Sequence, residues 1–187
     1  NKTFLIIANI NAITYKEVFP LIKENKIWLG TGMGRWISGF IVPESYELYG
    51  SEARIDDDGK RIVATNNCLW FTNLDHGKRH QPLPLMNMSD NIKFSSHKEI
   101  KGKNYLKYDN YDAIEVPYTD AIPNDYDGVI GVPITFLDKY NPEQFEIIGA
   151  SDNGVVDEKY KLPHFKKHNE PYINNVKVYK RIFIKKR

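Results

Sequence analysis

Apolar residues fall in short blocks along this chain, and the blocks change period from one to the next. Phe4-Leu5-Ile6-Ile7-Ala8 is continuous, the pattern of a strand buried on both faces, as in a parallel sheet. Residues 9–12 then make a polar turn. Thr14 and Glu17 have capping-box spacing, and Val18, Phe19, Leu21 and Ile22 recur at helical spacing up to Asn25, which can end a helix. Pro20 falls inside this pattern and predicts a kink or a late start. Lys26-Ile27-Trp28-Leu29 reads as a second strand, so the first thirty or so residues form one strand–helix–strand unit of an α/β sheet.

The pattern then changes character. Phe40-Ile41-Val42-Pro43 reads as a short strand ended by proline. Ala53-Arg54-Ile55 and Arg61-Ile62-Val63 flank Asp56-Asp57-Asp58-Gly59-Lys60, a hairpin signal because Asp-Gly tolerates positive φ. Residues 67–72 make the strongest later strand. Residues 81–111 are polar and poorly periodic and read as loops. Short strands follow at 114–116, 128–132 and 145–149, with one or two helical turns over 134–140. Residues 176–184 alternate and read as a terminal strand. The compositional shift near Asp75 divides the chain into 1–75 and 76–187.

Composition narrows the class. Apolar content is 41% and charged content 27% over 187 residues, ordinary for a globular domain. A net charge of +2 does not mark a nucleic-acid binder, but its distribution is uneven. Lys78-Arg79-His80, Lys166-Lys167-His168 and Lys185-Lys186-Arg187 are three basic clusters, and together they suggest a distributed phosphate-contacting surface. The single cysteine, Cys68, excludes an internal disulfide and a thiolate zinc site; it lies in an apolar run and reads as a small buried hydrophobe. A reducing cytoplasm fits. No apolar stretch reaches the ~18 residues of a membrane span, and no signal peptide is visible. The chain opens at Asn1 and runs directly into a strand, which predicts a piece of something longer.

Several motifs weigh less than they first promise. Gly30-Thr31-Gly32-Met33-Gly34 follows a strand like a nucleotide-binding turn, but Gly39 and Pro43 oppose the helix such a turn requires. The three adjacent aspartates at 56–58 lack the spacing of a calcium loop. His76/His80 and His164/His168 have helical metal-pair spacing, yet the residues between them are basic and would repel a cation. Asn169-Glu170-Pro171-Tyr172 approaches the Asn-Pro-Pro-Tyr turn of amino-methyltransferases, but glutamate replaces the first proline and no apolar strand precedes it. The segment from Trp70 to His80 is the most suggestive. There a strand delivers aromatics, then an amide, then basic residues, and aromatics of this kind can stack on an extruded base while Lys and Arg hold its phosphates.

Long strings of this chain resemble EcoRI-type adenine-specific DNA methyltransferases. They include Phe4-Leu5-Ile6-Ile7-Ala8-Asn9-Ile10-Asn11-Ala12, the segment from Trp70 to His80, Tyr108-Asp109-Asn110-Tyr111-Asp112-Ala113-Ile114-Glu115-Val116, Tyr126-Asp127-Gly128-Val129-Ile130-Gly131-Val132-Pro133 and Tyr179-Lys180-Arg181-Ile182-Phe183-Ile184. The resemblance implies an α/β fold: residues 1–75 as the C-terminal half of a Rossmann-like methyltransferase sheet, with 4–8, 26–29 and 68–73 as its late strands, and 76–187 as a loop-rich DNA-recognition region. It implies S-adenosylmethionine as methyl donor, no metal, double-stranded DNA as substrate, and a cognate restriction endonuclease acting in the same system without a stable complex. The adenine would be flipped out of the stack. In such enzymes the cofactor glycine motif and the Asn-Pro-Pro-Phe turn lie upstream of the equivalent of residue 1, so no catalytic residue is expected in this chain, and the chain alone is expected to be inactive. Base contacts are expected from Phe71 above all, with Trp70 and Asn73, and DNA contacts from Lys78, Arg79, His80, Lys166 and Lys167. The alternative reading is a stand-alone DNA-binding module without chemistry.

Overall fold

A computed structural model describes residues 2–30, 39–50, 53–64, 67–151, 158–162 and 170–187. Three strands form the first sheet. β1 (Leu5–Asn9) and β2 (Trp28–Leu29) lie on either side of β6 (Cys68–Thr72), in the order β1-β6-β2. β6 is antiparallel to both, with Leu5 opposite Thr72, Asn9 opposite Cys68 and Trp28 opposite Thr72. β1 and β2 are therefore parallel to each other, and the strand inserted between them runs the opposite way.

The link from β1 to β2 is a 3₁₀ turn over Ile10–Thr14 and a short helix, α1 (Phe19–Lys23). The helix starts late because Pro20 fits only the first turn, where its missing N–H is not needed. The capping box does not form: Thr14 belongs to the preceding 3₁₀ turn, where its hydroxyl donates to the Asn11 carbonyl. Asn25 adopts φ 58° just past the helix, the left-handed position that turns the chain into β2. Ile13, Phe19 and Ile22 from this connection are buried against the sheet.

Between β2 and β6 sits a separate small sheet of β3 (Phe40–Ile41), β5 (Arg61–Val63) and β4 (Ala53–Ile55), in that order. The hairpin between β4 and β5 turns as its residues dictate. The Asp56 carboxylate accepts from the N–H groups of Asp58 and Lys60, and Gly59 takes φ 78°.

The second half builds a mixed sheet, β7 (Ala113–Glu115), β8 (Val129–Pro133), β12 (Arg181–Lys186) and β9 (Phe145–Ala150), in the order β7-β8-β12-β9. β7 and β8 are parallel; β12 is antiparallel to β8 and β9. A 3₁₀ helix over Ile134–Lys139 follows β8. The terminal alternation resolves into two pieces: a hairpin of β10 (Tyr172–Ile173) and β11 (Val176–Lys177), then β12. The stretch 81–111 is not all loop. It contains α2 (Met88–Phe94), opened by Asn87, whose side chain accepts from the Asp90 N–H.

One core joins the two halves, with Leu29, Leu69 and Phe71 packed together with Ile114, Ile130, Phe136, Phe145 and Ile182. The first apolar run departs from expectation. It is not buried on both faces: Leu5, Ile6 and Ile7 are 54%, 51% and 39% exposed, because β1 pairs with β6 alone among the described residues.

Candidate functional site

The segment expected to meet a flipped base starts on β6, where alternation sends neighbouring side chains to opposite faces. Leu69 and Phe71 point into the core, and Phe71 is only 5% exposed. Trp70 takes the other face, half-buried, opposite Ile7. Phe71 is therefore a core residue, and in this arrangement its ring is not presented to a base.

Register also fixes which end of the sheet carries this segment. β6 runs against β1 and β2, so its far end, with Asn73 and the cluster after it, lies where β1 and β2 begin. Ligands of open α/β sheets bind at the carboxyl ends of the parallel strands. In this sheet the parallel strands β1 and β2 end at Asn9 and Leu29, beside the start of β6 at Cys68. Asn73 is committed to holding the start of β1: its side-chain oxygen accepts from the Phe4 N–H, and its amide donates to the Lys2 carbonyl.

The basic cluster is spent on internal partners. A 3₁₀ turn over Gly77–His80 buries Arg79 and leaves Lys78 half-buried and His80 exposed. Arg79 is 7% exposed; its guanidinium lies 3.7 Å from the centroid of the Trp28 ring and donates to Asp75 at 3.0 Å. Such a buried group cannot double as a phosphate contact. Lys78 donates to Asp138 at 3.0 Å. His80 has a carboxylate at each ring nitrogen, Glu143 at 2.8 Å from Nδ1 and Asp75 at 3.0 Å from Nε2. Two acceptors need two donors, which is the imidazolium form. Glu143 first, and Asp75 second, raise the His80 pKa above its ordinary value. The Asp75 carboxyl is in turn held low, first by the hydrogen bond from His80. His76, the other half of that histidine pair, contacts the Leu29 carbonyl at 3.0 Å. Lys166, Lys167, His164 and His168 lie outside the described residues, as do residues 31–34 of the glycine loop. Gly30 follows β2, its N–H donates to the Trp70 carbonyl, and a Cβ there would press on the Trp70 side chain at 2.8 Å. The tetrapeptide ending in Pro171-Tyr172 opens the β10–β11 hairpin, where Tyr172 N–H donates to Asn110.

The largest buried polar group is one that sequence reasoning did not single out. Glu115 on β7 receives Arg181 of β12 in a bidentate pair at 2.6 and 3.0 Å, and the Tyr108 hydroxyl donates to the same carboxylate. Burial, and then Glu115, push the Tyr108 phenol well above its ordinary value. Gly131 between them leaves the space that the Tyr108 ring occupies. Arg181 comes from 66 residues beyond Glu115, so no local spacing announces the group.

Among the described residues no cluster of three or more His, Cys, Asp or Glu side chains could hold a metal, and no helix is long and apolar enough to cross a membrane.

A mixed α/β protein whose first sheet has one reversed strand between two parallel ones, joined through a shared core to a second sheet, is the class these elements define. The chain belongs to the family described as adenine-specific methyltransferase EcoRI, whose model matches residues 1–187. It is 59% identical over 171 residues to the type II methyltransferase M.EcoRI of Escherichia coli, covering 89% of this chain and 49% of that protein. It is 36% and 31% identical to the type II methyltransferases M.MgeORF184P of Mycoplasma genitalium and M.MpnI of Mycoplasma pneumoniae, in each case over 100% of this chain and 57% of the relative. The chain thus spans about half the length of the curated relatives it matches. No solved structure matches it significantly.

Proposed function

We propose that this chain is the C-terminal portion of a site-specific DNA adenine-N6 methyltransferase of a restriction-modification system, acting on double-stranded DNA. Family membership carries the proposal, and the β1-β6-β2 arrangement supports it. A reversed strand between two parallel ones fits the late edge of a Rossmann-like methyltransferase sheet. β1 would then be the strand that follows the catalytic turn and its helix, and its free edge would pair with a strand upstream of residue 1. The exposed Leu5, Ile6 and Ile7 supply the apolar surface that such packing needs.

S-adenosylmethionine, when bound to the whole protein, supplies the methyl group. What this chain contributes is the end of the sheet, the segment 30–67 linking β2 to β6, and the region 76–187 for gripping DNA. Base contact from Trp70 remains open to its half-buried face.

Labelled S-adenosylmethionine and duplex DNA test this directly. The full-length protein should label adenine N6, and the 187-residue chain by itself should not. No transfer by the full-length protein would sink the methyltransferase reading. Transfer by the chain alone would show that the chemistry lies within it.

A further inference from the structure

Each side chain of the 78–80 cluster has a carboxylate partner, which directs attention to cations elsewhere that have none. Residues 93–107 carry Lys93, Lys98, Lys101, Lys103 and Lys107 against a single acid, Glu99. All five lysines are exposed, and none makes an ion pair among the described residues. Glu99 is occupied, since the Tyr118 hydroxyl donates to it at 3.0 Å. Phe94 beside them is 59% exposed, with the Lys93 ammonium 4.9 Å over its ring.

The stretch is scaffolded rather than loose. The Gly102 N–H donates to the Ile92 carbonyl at 2.8 Å, which ties the turn carrying Lys101 and Lys103 back to the residue before Lys93. Gly102 takes φ 73°, a conformation that L side chains rarely adopt, at this fold-back. Ile100 is 4% exposed and anchors the turn in the core. His97 stacks on Tyr118 with centroids 3.7 Å apart, and its Nε2 contacts Asp120 at 2.9 Å. The lysines thus stand exposed on an anchored backbone.

From this geometry we infer that the turn after α2, carrying Lys93, Lys98, Lys101 and Lys103, is a phosphate-contacting surface for the backbone of duplex DNA. Exposed ammonium groups without a carboxylate partner on an anchored turn complement a line of phosphates, and the exposed Phe94 ring, under the Lys93 ammonium, adds an apolar contact at its margin. The inference rests on the DNA reading above and assigns that reading a surface. It predicts binding that is strong at low salt and indifferent to sequence.

The test measures binding of the full-length protein to a labelled duplex of arbitrary sequence between 50 and 200 mM KCl, values within the range where counterion release is read. The triple substitution Lys93→Gln, Lys101→Gln, Lys103→Gln should lower the salt slope by about 2 to 3, at roughly 0.9 per phosphate contact, with the melting temperature kept. A control triple at exposed positions elsewhere, Lys16→Gln, Lys23→Gln, Lys60→Gln, should leave the slope nearly unchanged. An unaltered slope in the first variant, or an equal fall in the control, overturns the inference. So does a loss confined to phosphatidylserine vesicles, which would assign the turn to a membrane surface. Adenine methylation is scored in parallel. Methylation with an unaltered slope leaves the enzyme reading standing and removes only this surface; a lowered slope without methylation does the reverse.

Discussion

The guanidinium of Arg79 lies flat over the indole of Trp28, 3.7 Å from its centroid, while its Nη1 donates to Asp75. This stack closes the end of the first sheet where β2 begins, and the Trp28 Nε1–H donates to the Leu74 carbonyl on the same side. It turns a residue that looks like a phosphate ligand into a fastening between β2 and the segment leaving β6.

Arg79→Ala should therefore act on stability and not on DNA binding. Losing a desolvated cation–π contact and a charged hydrogen bond costs about 2 kcal/mol, a fall of several degrees in melting temperature for a protein of this size. The salt slope of duplex binding should stay at its wild-type value. A lowered slope with unchanged melting would return Arg79 to the DNA interface.

Phe71→Ala and Trp70→Ala should separate the two faces of β6. Phe71 is core, and its truncation costs about 3–5 kcal/mol. Trp70 is half-buried, so its truncation should cost markedly less in a chemical denaturation curve. If Phe71→Ala leaves the denaturation midpoint in place and instead abolishes 2-aminopurine fluorescence changes at the target base, the face assignment is reversed.

Glu115→Gln should cost about 3 kcal/mol or more, because it leaves the Arg181 guanidinium buried without its counter-charge. Both side chains are nearly enclosed, at 10% and 11% exposure, so water does little to screen the loss. A joint replacement of Glu115 by Gln and Arg181 by Met should recover part of it. Urea midpoints of the two single variants and the double measure the coupling; simple additivity would mean the pair does not act as a unit.

His80 should make stability depend on pH. Its pKa is raised in the folded chain, first by Glu143 and then by Asp75. Its contribution is thus complete below the ordinary imidazole value near 6.5 and fades as pH rises through the raised value. Asp75 is shifted down, so its contribution is present above the ordinary carboxylate value and is lost as pH falls through the lowered one. The clamp between the 73–80 segment and Glu143 is strongest in the mildly acidic window between them. Melting curves of wild type and His80→Gln should converge as pH rises above neutral, and parallel curves across the range would remove the histidine from the clamp.

Local chemistry was legible in the sequence wherever one short segment decides its own conformation. The Asp56–Lys60 turn forms because Asp and Gly tolerate its backbone angles, Pro20 delays α1, and the apolar runs at 5–9, 28–29 and 68–72 become strands of one sheet. Family resemblance was legible too, because long strings carry it. Alternation on β6 established that Trp70 and Phe71 face opposite ways. Only tertiary packing decided which of them is core, since that depends on Ile114, Ile130 and Ile182, which arrive from the other half of the chain. The same holds for charge. Lys78 and His80 look free until Asp138 and Glu143 fold onto them, 60 and 63 residues away, whereas the lysines at 93–107 meet no such partner. A one-dimensional pattern records that a cation exists; whether it stays available depends on which distant carboxylate comes within hydrogen-bonding distance, and the fold alone sets that.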